Sequence, residues 1–334
     1  MTSPVDTPAR LEPTKTHPGT ALVVENATQA IEAGSKSFAA AARLFDEATR
    51  ESAVMLYAWC RHCDDVIDGQ ELGHGQREGD RSNGAALLAE LERATRRACA
   101  TSRNEALDTA PVFAGLAEVV RRHGIPECYP LEHLAGFRMD IDNCFYATLS
   151  DTLAYSWRVA GVVGVMMSLV MGNRKPETLD RACDLGMAFQ LTNIARDVVE
   201  DAAIGRVYLP ADWLALEGID SRDPANLLLP IHREALGRVA ARLVDTAEPY
   251  YRSAVGGIAD LPLRSAWSIA TARGVYRDIG RQVKAQGAKA WDQRIATSRL
   301  DKLWFVARGA AVALATHGGV ALPARDAGLW TRPV

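Results

Sequence analysis

Four aspartates at helical spacing are the residues best placed to do chemistry in this chain. Asp64 and Asp68 lie four apart in the segment Tyr57–Gly69, and Asp197 and Asp201 lie four apart in Gln190–Asp201. On a helix each pair shares one face, with Cβ atoms about 6 Å apart. Two bare carboxylates at that separation repel by roughly 3 kcal/mol at an effective dielectric of about 20. A cation relieves the repulsion. Each pair also has an arginine beside it: Arg61 one turn before Asp64, and Arg196 next to Asp197. Carboxylates with arginines point to a ligand that is itself an anion, bridged to aspartate by a hard metal ion. A diphosphate with several Mg²⁺ (or Mn²⁺) ions fits that description. Asn193, one turn before Asp197 on the same face, adds a carbonyl oxygen. The metal set read from the sequence is therefore Asp64, Asp68, Asn193, Asp197 and Asp201.

Diphosphate leaves a carbon only when its charge is neutralised, which metal and arginine do together. Arg61 and Arg196 can grip free phosphate oxygens in bidentate fashion. Lys36, in Gly34–Phe38, and Arg206, in Gly205–Pro210, are further cations for the same task. A carbocation remains after departure, and it needs π faces and a dry cavity. Tyr57, Tyr155, Phe189, Trp267 and Tyr276 are the aromatic candidates; for Phe189 and Trp267 ordinary helix packing is the stronger reading. A solvated helix face would explain the aspartates less well, because both pairs abut apolar residues and arginine.

These residues need a scaffold of helices. Of the 334 residues 48% are hydrophobic, ample for a large core. Helical periodicity runs through almost every segment from Ala21 to Ala315, and β-branched alternation is scarce. Gly and Pro mark the joints at 69–84, 124–126, 172–176, 205–210, 218–224 and 256–262. No Pro/Ser-rich linker divides the chain. The expectation is one all-α domain over 21–315, a disordered lead-in over 1–20 and a tail over 316–334. A net charge of −3 argues against a nucleic-acid partner. The six cysteines show no disulfide framework, which favours a reducing cytoplasm. The Cys60–Cys63 spacing resembles half a zinc site, but no second half follows it, so helix packing is preferred. Val159–Gly172 is apolar but too short to span a bilayer, and its Gly161, Gly164 and Ser168 suit close helix contact. Leu303–Leu322 reads as a terminal helix packed on the body, ahead of a helix lying on a membrane surface.

Other chemistries fit poorly. The Glu-x-x-His spacing of di-iron bundles occurs at Glu71–His74, in a Gly-rich loop, and no nucleotide-binding fingerprint is present.

The segments Leu185–Pro210 and Tyr155–Gly164 resemble the two hallmark motifs of the squalene/phytoene synthases, with Ser156 and Trp157 where Cys and Tyr are commoner. The resemblance runs from about Ala30 to Leu303, and within the family it is nearest to bacterial phytoene synthases. It implies an isoprenoid-synthase helical bundle around a central cavity. It also implies a transferase of carotenoid biosynthesis that joins two geranylgeranyl diphosphates head to head through prephytoene diphosphate, without NADPH. Carried over by position, catalysis falls to Asp64, Asp68, Asp197, Asp201, Arg61, Arg196 and Tyr276. Substrate contacts fall to Ser35, Lys36, Ser37, Tyr57, Arg61, Tyr155, Gln190, Arg196, Arg206, Tyr276 and Arg294. Gly34 stands where some relatives have a histidine.

A squalene-type or dehydrosqualene synthase using farnesyl diphosphate is the alternative within the family. A head-to-tail elongating prenyltransferase is disfavoured by Arg196, which stands where a second Asp is expected. A non-catalytic scaffold would be expected to lose acids, and none is lost. Small side chains at Ala39–Ala42 are expected to leave depth for a C20 tail. Lipophilic substrate and product imply a cytoplasmic enzyme in peripheral contact with the inner face of the membrane; other carotenoid-pathway enzymes are expected partners.

Overall fold

The computed structural model describes residues 41–69, 83–100, 110–295 and 297–333. Among these residues the chain has eleven α-helices and no strand. In order they are α1 (Glu47–Asp68), α2 (Gly84–Ala100), α3 (Pro111–His123), α4 (Cys128–Ile141), α5 (Leu149–Ser156), α6 (Val162–Val170), α7 (Pro176–Ala203), α8 (Ala211–Leu216), α9 (Arg233–Ile258), α10 (Leu263–Gln286) and α11 (Arg299–His317). A π-helical turn, Trp157–Gly161, joins α5 to α6.

Local chemistry sets the ends of these helices. Asp46 caps α1 by accepting from the Thr49 amide at 3.0 Å, and Gly69 ends it at φ 63°, a left-handed conformation that glycine adopts without steric cost. Pro111 and Pro176 stand in the first turns of α3 and α7, where a missing N–H costs nothing. Capping boxes at Thr148/Asp151 and Ser298/Asp301 start α5 and α11.

Helix α7 runs through the middle of the bundle and packs against α6, α9, α10 and the π turn. Its buried residues include Leu185, Met187, Leu191, Ile194 and Val198. Two glycines let it approach α6 and the π turn closely. A Cβ on Gly186 would stand 2.2 Å from the Ala160 carbonyl oxygen, and one on Gly164 would stand 2.2 Å from that of Ala182. The continuous helix Leu149–Val170 is long and apolar enough to cross a membrane by length and composition alone. Its most apolar window is 61% buried inside the protein, as for a core helix.

The expected joint at 256–262 is displaced. Gly256 and Gly257 lie inside the last turn of α9. They are needed there because a Cβ on Gly256 would meet the Arg181 guanidinium at 2.2 Å. Beyond α11 the chain folds back onto the body. Arg325 pairs with the fully buried Asp184 of α7 at 2.9 Å, Arg332 with Asp180 at 2.6 Å, and the Trp330 amide donates to the Tyr250 hydroxyl.

Candidate active site

Both aspartate pairs stand at the C-terminal ends of their helices. Asp68 is the last residue of α1, Asp201 lies in the final turn of α7, and neither final turn holds a basic residue. A helix C-terminus carries roughly half a negative charge of its own. Each wall therefore attracts cations more strongly than its carboxylates alone would.

Arginines hold these acids. Arg61 donates to Asp64 at 2.8 Å and reaches Asp65 at 3.1 Å. Arg196 forks onto both oxygens of Asp197, with its Nε at 2.7 Å. Arg206, in the loop after α7, donates to both oxygens of Asp68, the longer bond being 3.2 Å. Arg294 reaches Glu200 at 3.2 Å and Asp197 at 3.8 Å. Sequence positions far apart, including 68 and 206, thus meet in one polar layer.

Burial, and then Asp68, push the Asp64 carboxyl up to about 7. Because 36% of its side chain is open to solvent, water screens part of that push. Asp201 is held well above the usual carboxylate range by burial and by Asp197. Arg61 and Arg206 at Asp64, and Arg206 at Asp201, offset only part of this.

The donor set fits a hard divalent ion. The Asn193 Oδ1 atom is buried and has no hydrogen-bond partner. A buried acceptor without a donor calls for an explanation, and a cation ligand supplies one. Among the described residues, no three carboxylate, histidine or cysteine groups converge as a ready-made metal cluster. Mg²⁺ does not require one, since it takes one or two carboxylates and completes its shell with water and substrate phosphate.

The aromatic residues divide into two groups. Tyr276 stacks on Phe189 with ring centroids 4.3 Å apart. Tyr57 lies within electrostatic reach of Tyr276, Arg61 and Asp64, and burial pushes its hydroxyl up to about 12. Phe189 thus packs on Tyr276 against the core, in keeping with helix packing. Gln190 is half-buried on α7. Trp267 has the packing role, its indole N–H donating to the Val306 carbonyl at 2.7 Å and tying α10 to α11. Ser35, Lys36 and Ser37 lie outside the described residues, as do Phe38 and Ala39; Ala42 is buried. Cys60 and Cys63 are free, and burial raises both thiols, which suits packing in α1 rather than metal or redox work. A cleft of about 470 Å³ between Phe145 and Arg222 includes none of the residues predicted from the sequence.

Asp140 of α4 escaped the sequence reading. Its Oδ1 accepts from the Tyr208 hydroxyl at 2.8 Å and its Oδ2 from the Tyr155 hydroxyl at 3.2 Å. Burial pushes it up to about 6, against the pull of Arg206. The signal was present but slight: one acid following the apolar stretch Leu134–Phe137, with no partner at helical spacing to single it out.

Comparison with known proteins agrees with this geometry. The squalene/phytoene synthase family model matches residues 31–301. A 15-cis-phytoene synthase of Enterobacter agglomerans is 53% identical, covering 91% of this chain and 100% of the relative. That of Pantoea ananas is 51% identical, covering 93% of this chain and 98% of the relative. Among solved structures, a dehydrosqualene synthase in complex with ligand superposes with a TM-score of 0.72 at 25% identity, covering 87% of this chain and 96% of the other. With two carboxylate walls on an isoprenoid-synthase bundle and sequence agreement across nine-tenths of its length, the chain belongs to the squalene/phytoene synthase family.

Proposed function

We propose that this transferase condenses two geranylgeranyl diphosphates head to head, through prephytoene diphosphate, to phytoene, releasing two diphosphates. The observation that carries the reading is the 53% and 51% identity to 15-cis-phytoene synthases across more than nine-tenths of the chain. The pairs Asp64/Asp68 and Asp197/Asp201, with their arginines and with Arg206 in electrostatic reach of both Asp64 and Asp201, support it.

When bound, Mg²⁺ or Mn²⁺ would be held by Asp64, Asp68, Asn193, Asp197 and Asp201, and would neutralise the charge that develops on a leaving diphosphate. Arg61, Arg196, Arg206 and Arg294 already point at these carboxylates, so they are placed to exchange aspartate for phosphate oxygens as substrate enters. Ser35, Lys36 and Ser37 are expected to contact the same diphosphates. Tyr57, Gln190 and Tyr276 border the reacting isoprenoid, where aromatic faces stabilise positive charge without supplying a nucleophile. The reaction has no reductive step, so NADPH is not required.

The protein works in the cytoplasm against the inner face of the membrane. Leu300, Leu303 and Trp304 of α11, which are 78%, 67% and 62% exposed, are suited to that contact.

Incubation of the purified chain with labelled geranylgeranyl diphosphate and Mg²⁺ tests the reading. A neutral C40 hydrocarbon supports it. A longer diphosphate would point to chain elongation, turnover confined to farnesyl diphosphate would point to a C30 synthase, and no product would leave a scaffold.

A further inference from the structure

Three tyrosines converge on Asp140 from separate parts of the chain. Tyr155 ends α5, Tyr146 lies in the loop before it, and Tyr208 lies in the loop after α7. Hydrogen bonds to backbone carbonyls fix these parts to one another: the Ala211 amide donates to the Tyr146 carbonyl at 2.8 Å, and the Thr152 hydroxyl donates to the Tyr208 carbonyl at 2.8 Å. The rings of Tyr155 and Tyr208 stack with centroids 4.6 Å apart and planes 19° apart. Tyr146 packs against both at 5.6 Å, and its hydroxyl is buried without a hydrogen-bond partner. Arg206, which bonds Asp68, is also within electrostatic reach of Asp140, so the cluster adjoins the first aspartate wall.

Two phenols donating to one carboxylate have their hydrogens committed. Each phenol oxygen then offers lone pairs, not a proton, to whatever else it faces. Donation to a carboxylate also enriches the ring in electron density and strengthens its attraction for a cation. We propose that Asp140 is a positioning residue that fixes Tyr155 and Tyr208 in this orientation, so that the carbocation formed in the second ionisation ends as hydrocarbon instead of being captured by water. This rests on the head-to-head reaction proposed above.

The chemistry at stake is a partition. Heterolysis of the C–O bond of the C40 diphosphate sends the electron pair out with diphosphate and leaves a carbocation. Loss of a proton from carbon, its C–H pair forming the new double bond, gives hydrocarbon. Addition of water, followed by loss of one of its protons, gives a C40 alcohol. A phenol free to turn its hydrogen toward the cation repels it and can hold a water beside it. Asparagine at 140 retains one carbonyl acceptor, so only one phenol stays committed.

The test measures C40 hydrocarbon, C40 diphosphate and C40 alcohol from labelled geranylgeranyl diphosphate with Mg²⁺, for the full chain and for Asp140→Asn, Asp140→Glu and Tyr208→Phe. The expected result for Asp140→Asn is a fall of about tenfold in the ratio of C40 hydrocarbon to C40 alcohol, the effect of losing one charge-assisted hydrogen bond, with C40 diphosphate reporting the second ionisation separately. Asp140→Glu should recover part of the ratio. Tyr208→Phe keeps the ring, removes one donor and should shift the ratio in the same direction, which retains a readout if Asp140→Asn fails to fold. An unchanged ratio in Tyr208→Phe and in any folded Asp140→Asn, even with slower turnover, would mean that Asp140 is merely structural and would overturn the proposal. If the unaltered chain makes no head-to-head product, the underlying reaction is wrong and this proposal falls with it.

Discussion

Arg206 donates to both carboxylate oxygens of Asp68 across 138 positions of sequence, joining the loop after α7 to the end of α1. The pair is only 21% and 12% exposed, so it is shielded from the screening that weakens surface ion pairs. Lysine at 206 keeps the charge but loses the planar fork. Arg206→Lys should lower kcat/KM for the allylic diphosphate by about 10- to 100-fold, the value of one or two charge-assisted bonds. Steady-state kinetics at saturating Mg²⁺ check this, and a change smaller than twofold would remove Arg206 from the site.

The first wall also predicts a pH-dependent metal site. A metal must displace the proton from Asp64, whose carboxyl is pushed up to about 7 by burial and by Asp68. Affinity for Mn²⁺ in the presence of inorganic diphosphate should therefore rise as pH increases from 6 to 8, and calorimetric titration measures it. Asp197→Asn should abolish most turnover while circular dichroism stays unchanged, because the substitution removes a ligand and leaves a side chain of the same size in place.

His133 predicts an acid-side loss of stability. Its ring lies between Trp59 and Phe137, at 5.4 and 5.1 Å, and burial pushes its pKa down from 6.5 to about 4. The unfolded chain takes up this proton below pH 6.5, whereas the folded chain takes it up only near 4. The stabilisation is therefore complete above 6.5 and is lost as pH falls through that window, at about 1.4 kcal/mol per unit. His133→Asn keeps a donor for the Arg158 carbonyl, which the Nδ1–H of His133 serves at 3.2 Å. The variant should show a flatter slope of urea stability between pH 6.5 and 4.

The C-terminal clamp predicts an asymmetric pair of mutants. Asp184 has no exposed side-chain surface and is held by Arg325 and by the Ser253 hydroxyl. Removing the arginine alone strands a buried carboxylate. Arg325→Ala should cost about 3–5 kcal/mol, and adding Asp184→Leu should restore much of it. Chemical denaturation of the single and double variants measures the difference. Additive losses would show that the pair is not coupled.

The fold class and both aspartate walls were legible in the sequence because helical periodicity and the four-residue spacing of Asp64/Asp68 and Asp197/Asp201 are local signals. Their neighbours Arg61 and Arg196 were legible for the same reason. What was not legible is pairing over distance. Nothing near Asp68 announces Arg206, and nothing near Asp140 announces Tyr208, 68 positions away. Asp140 was missed because a single acid at the end of an apolar run resembles a helix terminus. The partner of Phe189 was not legible either: Tyr276 lies on another helix, and only the bundle stacks the two rings.

The clamp between Asp184 and Arg325 also bears on biosynthesis. The two residues are separated by 141 positions, so for all that stretch of translation the middle helix emerges with an acid it cannot bury favourably. Burial of Asp184 opposite its arginine becomes available only once residue 325 has been synthesised, which makes docking of the C-terminal segment a late step in completing the bundle.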